Sequence, residues 1–141
     1  MPIWKGKWRI NSIFRVQTTT ASNAAFATFA SGGWGLTVPV GVWTTGYQLP
    51  LFNGAATAVF FTLSPTSITG VASGSEDTRF TTTGVANGSG VATDYTLGYA
   101  SVSENVTSTS TYLLYAQGAT ASAAVNADQG LAEIRAELEL L

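Results

Sequence analysis

The chain has 141 residues, enough for one domain, and only 10% of them are charged, with a formal net charge of −2 at pH 7. With no cysteine and no histidine it forms no disulfide, no Cys- or His-based metal site and no histidine general base. A hydrophobic fraction of 45% with four tryptophans excludes a disordered chain, and the small excess of acid over base disfavours nucleic acid as a partner.

The first fourteen residues, MPIWKGKWRINSIF, are positively charged but lack the apolar stretch and small-residue cleavage site of a secretory signal. A protein assembled in a cytoplasm is expected. Residues 1–9 read in two ways. Trp4, Lys5, Lys7, Trp8 and Arg9 suit an arm that docks on another protein, with aromatic anchors and cationic rims. They equally suit the lead-in to a first strand whose tryptophans enter the domain's own core. In an extended segment Trp8, Ile10, Phe14 and Val16 share one face, opposite Arg9, Asn11, Arg15 and Gln17.

From residue 10 to 141 the pattern predicts one β-sandwich domain. Strands are expected over Ala24–Ala30, Gly35–Val38, Val42–Leu49, Thr57–Leu63, Ser67–Ala72, Thr78–Thr83, Tyr95–Val102, Thr111–Gln117 and Ser122–Asn126. Thr, Val and aromatic residues dominate these runs, as a pleated, half-buried surface prefers. Between them fall Ser31-Gly32-Gly33, Asn53-Gly54, Asn87-Gly88-Ser89-Gly90 and Gln117-Gly118, residues that tolerate tight turns. The most apolar stretch, Val38 to Phe61, is interrupted by prolines and polar residues and is a poor membrane span. Nine or ten short strands at this spacing indicate an all-β sandwich or barrel.

The last segment, LAEIRAELELL, is ambiguous. As a helix it would place Leu131, Ile134, Leu138 and Leu141 on one face, with Asp128 as cap. Glu133 and Glu137 would then repel one turn apart, and Glu137 and Glu139 would crowd the negative end of the helix dipole. As a strand it turns Ala132, Ile134, Ala136, Leu138 and Leu140 inward and Glu133, Arg135, Glu137 and Glu139 to water. The charge pattern and the all-β context select a closing strand over 131–140.

Parts for chemistry are scarce. Between Arg15 and Glu76 the only ionisable side chain is Tyr47, and no serine or threonine has a base beside it in sequence. No enzyme is expected. Glu76, Asp77, Asp94 and Asp128 sit near turns, yet no calcium-loop spacing joins them, so no metal and no cofactor are expected. Asn87-Gly88-Ser89 and Asn105-Val106-Thr107 match the glycosylation triplet and are read as chance. Trp34, Trp43, Tyr47, Phe52, Tyr95, Tyr99, Tyr112 and Tyr115 either fill core and interface or stack on sugar rings.

The stretch Trp34 to Phe52, WGLTVPVGVWTTGYQLPLF, resembles the part of C1q/TNF-like jelly rolls where a Val-Pro strand and a glycine lead into an aromatic-lined strand. The family's Gly-x-aromatic-x-aromatic-x-aromatic pattern falls on Gly41, Trp43, Thr45 and Tyr47, with Thr45 in place of an aromatic residue. In its Thr/Gly/Ala-rich body, the segment Ser110–Gln117 and the alternating end, the chain is similar to small jelly-roll proteins of tailed bacteriophage particles. That resemblance implies a homotrimeric virion protein, either a capsid decoration (cement) protein on the major capsid protein or another virion protein, or a fibre head that binds a receptor or glycan. On this reading Trp4, Lys5, Lys7, Trp8 and Arg9 contact the particle. Trp43, Tyr47, Leu49, Tyr112, Leu114, Ile134, Leu138 and Leu140 supply the trimer interface. Neither nucleic acid nor membrane is an expected partner.

Overall fold

The computed structural model describes residues 8–14, 18–19, 23–29, 33–52, 57–70, 76–86, 96–118, 124–125 and 132–140. Among them are eleven strands: β1 (Arg9–Phe14), β2 (Thr18–Thr19), β3 (Asn23–Thr28), β4 (Gly35–Val38), β5 (Gly41–Phe52), β6 (Thr57–Ser64), β7 (Thr82–Ala86), β8 (Thr96–Val106), β9 (Ser110–Gly118), β10 (Ala124–Val125) and β11 (Ala132–Leu140). One 3-10 turn, Thr78–Phe80, precedes β7.

Two expected strands change character. Ser67–Ala72 is rich in β-branched residues, yet its described part is a turn. The Ser64 hydroxyl donates to the Thr66 carbonyl at 2.8 Å, and Gly70 takes a φ of 84° that favours glycine. In Thr78–Thr83 the chain first makes its 3-10 turn, because the Asp77 carboxylate accepts from the Arg79 amide at 3.1 Å; the strand begins only at Thr82. Elsewhere strands run longer than expected, β5 to twelve residues and β8 to eleven.

The strands form two antiparallel sheets. The first has β11 between β1 and β5, with β8 on the far side of β5 and β10 and β2 extending from the end of β5. In the second, β9 is central, flanked by β6 and then β7 on one side and by β3 and β4 on the other. The pairings nest: β6 with β7, then β5 with β8, β4 with β9, and β1 with β11. One long antiparallel ribbon, wound over itself into two layers, is the jelly-roll sandwich.

Alternation fills the space between the layers. From the first sheet come Trp43, Tyr47, Leu49, Ala132, Ile134 and Ala136, and from the second Phe61, Leu63, Tyr112 and Leu114, all buried. Phe14, Phe29 and Trp34 close one end, with Phe14 5.4 Å from Phe29 and 5.2 Å from Trp34 between ring centroids. Trp34 Nε1, just before β4, donates to Ser12 Oγ at 2.9 Å and so ties the start of β4 in one layer to β1 in the other.

Candidate binding surface

Six of the eight residues expected at a trimer interface are inside this core. Trp43, Tyr47, Leu49, Tyr112, Leu114 and Ile134 are buried in the single chain, and Leu138 packs half-buried against them. Trp43 Nε1 donates to the Pro39 carbonyl, and the Tyr47 hydroxyl lies 2.9 Å from the Phe61 carbonyl and 2.7 Å from that of Phe80. These side chains are occupied within the core of the chain itself. The backbone of Leu140 pairs with Val42; its side chain lies outside the described residues.

Of the expected particle-contact residues, Trp4, Lys5 and Lys7 lie outside the described residues. Trp8 is 61% exposed and does not enter the core, while its carbonyl accepts from the Leu138 amide at 2.8 Å. On β1, Ile10, Ser12 and Phe14 point inward and Arg9, Asn11 and Ile13 outward, so the expected alternation holds from residue 9. Val40, 55% exposed, lies in the turn between β4 and β5, toward the same end of the sandwich as Trp8.

The closing strand is present at Ala132–Leu140, and Ala132, Ile134 and Ala136 face the core as expected. Its charged row departs from a solvated one at Glu133, which is buried. Arg9 Nη2 donates to its carboxylate at 2.8 Å and Asn11 Nδ2 at 2.9 Å. Arg135 Nη1 stands 3.7 Å from the same carboxylate, outside hydrogen-bond length. Both oxygens of Glu133 are thus engaged by β1, and the half-exposed guanidinium of Arg135 keeps its donors.

Across the outer face of this sheet the register sets up two neighbouring rows. Arg135, Gly46 and Ser101 form one, and Glu133, Gln48 and Tyr99 the next. A Cβ on Gly46 would collide with the Ala100 carbonyl oxygen and come within 2.9 Å of Ser101 Cα, so only glycine permits this approach of β5 to β8. Beside this close approach lies a shallow cleft of about 150 Å³, lined by Tyr47, Gln48, Leu97, Tyr99, Ala100, Ser101 and Arg135. Tyr99 is 71% exposed at its rim and Leu97 50% exposed.

The acidic residues of the loops are otherwise engaged. Arg79 pairs with Asp77 and with Glu104, each at 2.6 Å, and the Glu76 carboxylate accepts from Thr81 Oγ1 at 3.0 Å. The Arg79 guanidinium holds the Asp77 carboxyl below the usual carboxylate range. Among the described residues no three His, Cys, Asp or Glu gather in a group that would hold a metal ion, and no helix is long and apolar enough to cross a membrane. Asp94 and Asp128 lie outside the described residues.

The sequence singles out Tyr99 only among its other aromatic residues and does not bring Gln48, Leu97, Ser101 and Arg135 together as a group. A signal existed. Along β8 the outward positions are Leu97, Tyr99, Ser101, Ser103 and Asn105, so two apolar residues stand on an otherwise polar face. Their junction with Arg135 depends on pairing between segments far apart in the chain, which single-strand alternation does not carry. No protein-family model matches the chain, and a comparison with curated proteins gives no match.

Proposed function

We propose that the protein is a non-enzymatic structural component of a virus particle: a homotrimeric capsid decoration protein whose Trp8 end rests on the capsid. The observation that carries this reading is the exposure of Trp8 and Val40 toward one end of the sandwich. Large apolar side chains left in water on a well-packed domain mark a contact surface. Tryptophan is among the residues that binding hot spots favour. The low charge of the chain supports a structural role, and closed symmetric assembly is the common way to cover neutral surface. Three copies bound to one lattice site would multiply modest contacts into stable attachment.

The test is binding to undecorated particles by the full chain, by a variant lacking residues 2–9, and by Trp8→Ala, with mass in solution measured by light scattering. A mass of three chains, with particle binding reduced in both variants, is the expected result. Unchanged binding by both variants would remove the Trp8 end from the interface, and a monomer at working concentration would remove the trimer.

A further inference from the structure

We propose that the cleft beneath Tyr99 binds a single carboxylated sugar ring, the terminal residue of an acidic glycan. This goes beyond the docking role above and stands independently of it. The two regions occupy opposite corners of the first sheet. β1 and β8 are three strand spacings apart, about 14 Å, and the level of Trp8 lies about five residues, ~17 Å, from that of Tyr99 along the strands. A domain held at the Trp8 corner therefore presents the Tyr99 corner away from that contact.

Three features define the ligand. The first is size: about 150 Å³ is well below the roughly 300–1,000 Å³ of cofactor and drug pockets, so one ring-sized group is seated and no more. The second is the pairing of an apolar face with a polar rim. The exposed ring of Tyr99 and the side chain of Leu97 offer a flat apolar surface, while Gln48 and Ser101 offer an amide and a hydroxyl beside it. A pyranose has this character, with C–H groups on its face and hydroxyls around its edge. The third is Arg135. Because Arg9 and Asn11 engage the Glu133 carboxylate, the Arg135 guanidinium has only the 3.7 Å contact to it and retains donors at the cleft wall. A guanidinium in that state takes a carboxylate in a two-pronged contact.

The experiment is an NMR titration of the full protein with methyl β-glucuronide and, in parallel, methyl β-glucoside, repeated on Tyr99→Ala and Arg135→Gln. Shifts of the Gln48, Tyr99, Ser101 and Arg135 signals are expected with both sugars. The acid should bind about five-fold more tightly, as a half-exposed ion pair allows. Tyr99→Ala should weaken both sugars about ten-fold, and Arg135→Gln should abolish the preference for the acid while leaving neutral-sugar binding. Tyr99 is largely in solvent, so its variant should melt with the parent. No shift at millimolar sugar, or unchanged affinity in Tyr99→Ala, overturns the site. Equal affinity for the two sugars overturns the acidic assignment.

Discussion

The hydroxyl of Tyr47 joins the two layers of the sandwich. Rooted in β5, it donates between the carbonyls of Phe61 on β6 and Phe80 in the 3-10 turn, both otherwise shielded from water at that point. Tyr47→Phe keeps the ring and removes the donor, and should cost about 1–3 kcal/mol. Two residues earlier on the same inward row, Thr45 is fully buried and its hydroxyl has no hydrogen-bond partner. Thr45→Val replaces that hydroxyl with a methyl of the same shape and should raise stability by about 1 kcal/mol. Urea unfolding of the two variants should thus move the midpoint in opposite directions. At this scale the sequence was legible as one alternating row, Trp43, Thr45 and Tyr47, and all three are buried. It did not distinguish inward to the chain's own core from inward to a trimer axis. Alternation reports a face, and only the fold says what that face meets.

β11 shows how far an element can be read in isolation. Its alternation of Ala132, Ile134 and Ala136 with charged residues identified the strand against every residue's helix propensity, because pairing on two sides outweighs a few tenths of a kcal/mol per residue. Its central place was not legible, since that depends on β1 pairing with it from more than a hundred residues away. The burial of Glu133 follows from that place, with β1 laying Arg9 and Asn11 over its carboxylate. Glu133→Ala leaves both donors without their acceptor and should destabilise by about 1–3 kcal/mol. The loss should concentrate at the β1–β11 seam: in hydrogen exchange, residues 9–14 of the variant should exchange faster than in the parent, with β6–β9 little changed. Uniform acceleration across both sheets would show that this ion cluster supports the whole fold and not one edge.

For the whole molecule, alkaline pH is the more informative stress. Burial, with the Glu104 carboxylate nearby, pushes the Tyr112 hydroxyl up to about 12, and burial raises Tyr47 further still. In the unfolded chain both return to about 10. The folded form therefore holds its phenolic protons longer, so stability is fully present below about pH 10 and falls as pH rises toward 12. Urea midpoints measured at rising pH should be flat to about pH 9.5 and then decline, less steeply in Tyr112→Phe. The regular turns made the all-β class legible at this scale, and the Trp34–Phe52 segment pointed to the jelly roll. The cleft at Tyr99 was not, because Gly46, Arg135 and Tyr99 meet only through the register of three separate strands. The nesting of the ribbon also orders its biosynthesis. Residues 132–140 emerge from the ribosome after both strands they bridge, so until then β1 and β5 each present an open hydrogen-bonding edge. Such edges recruit neighbouring chains. A ribosome stalled just before residue 132 would therefore display a chaperone substrate, and addition of residues 132–140 would close the sheet in a single late step.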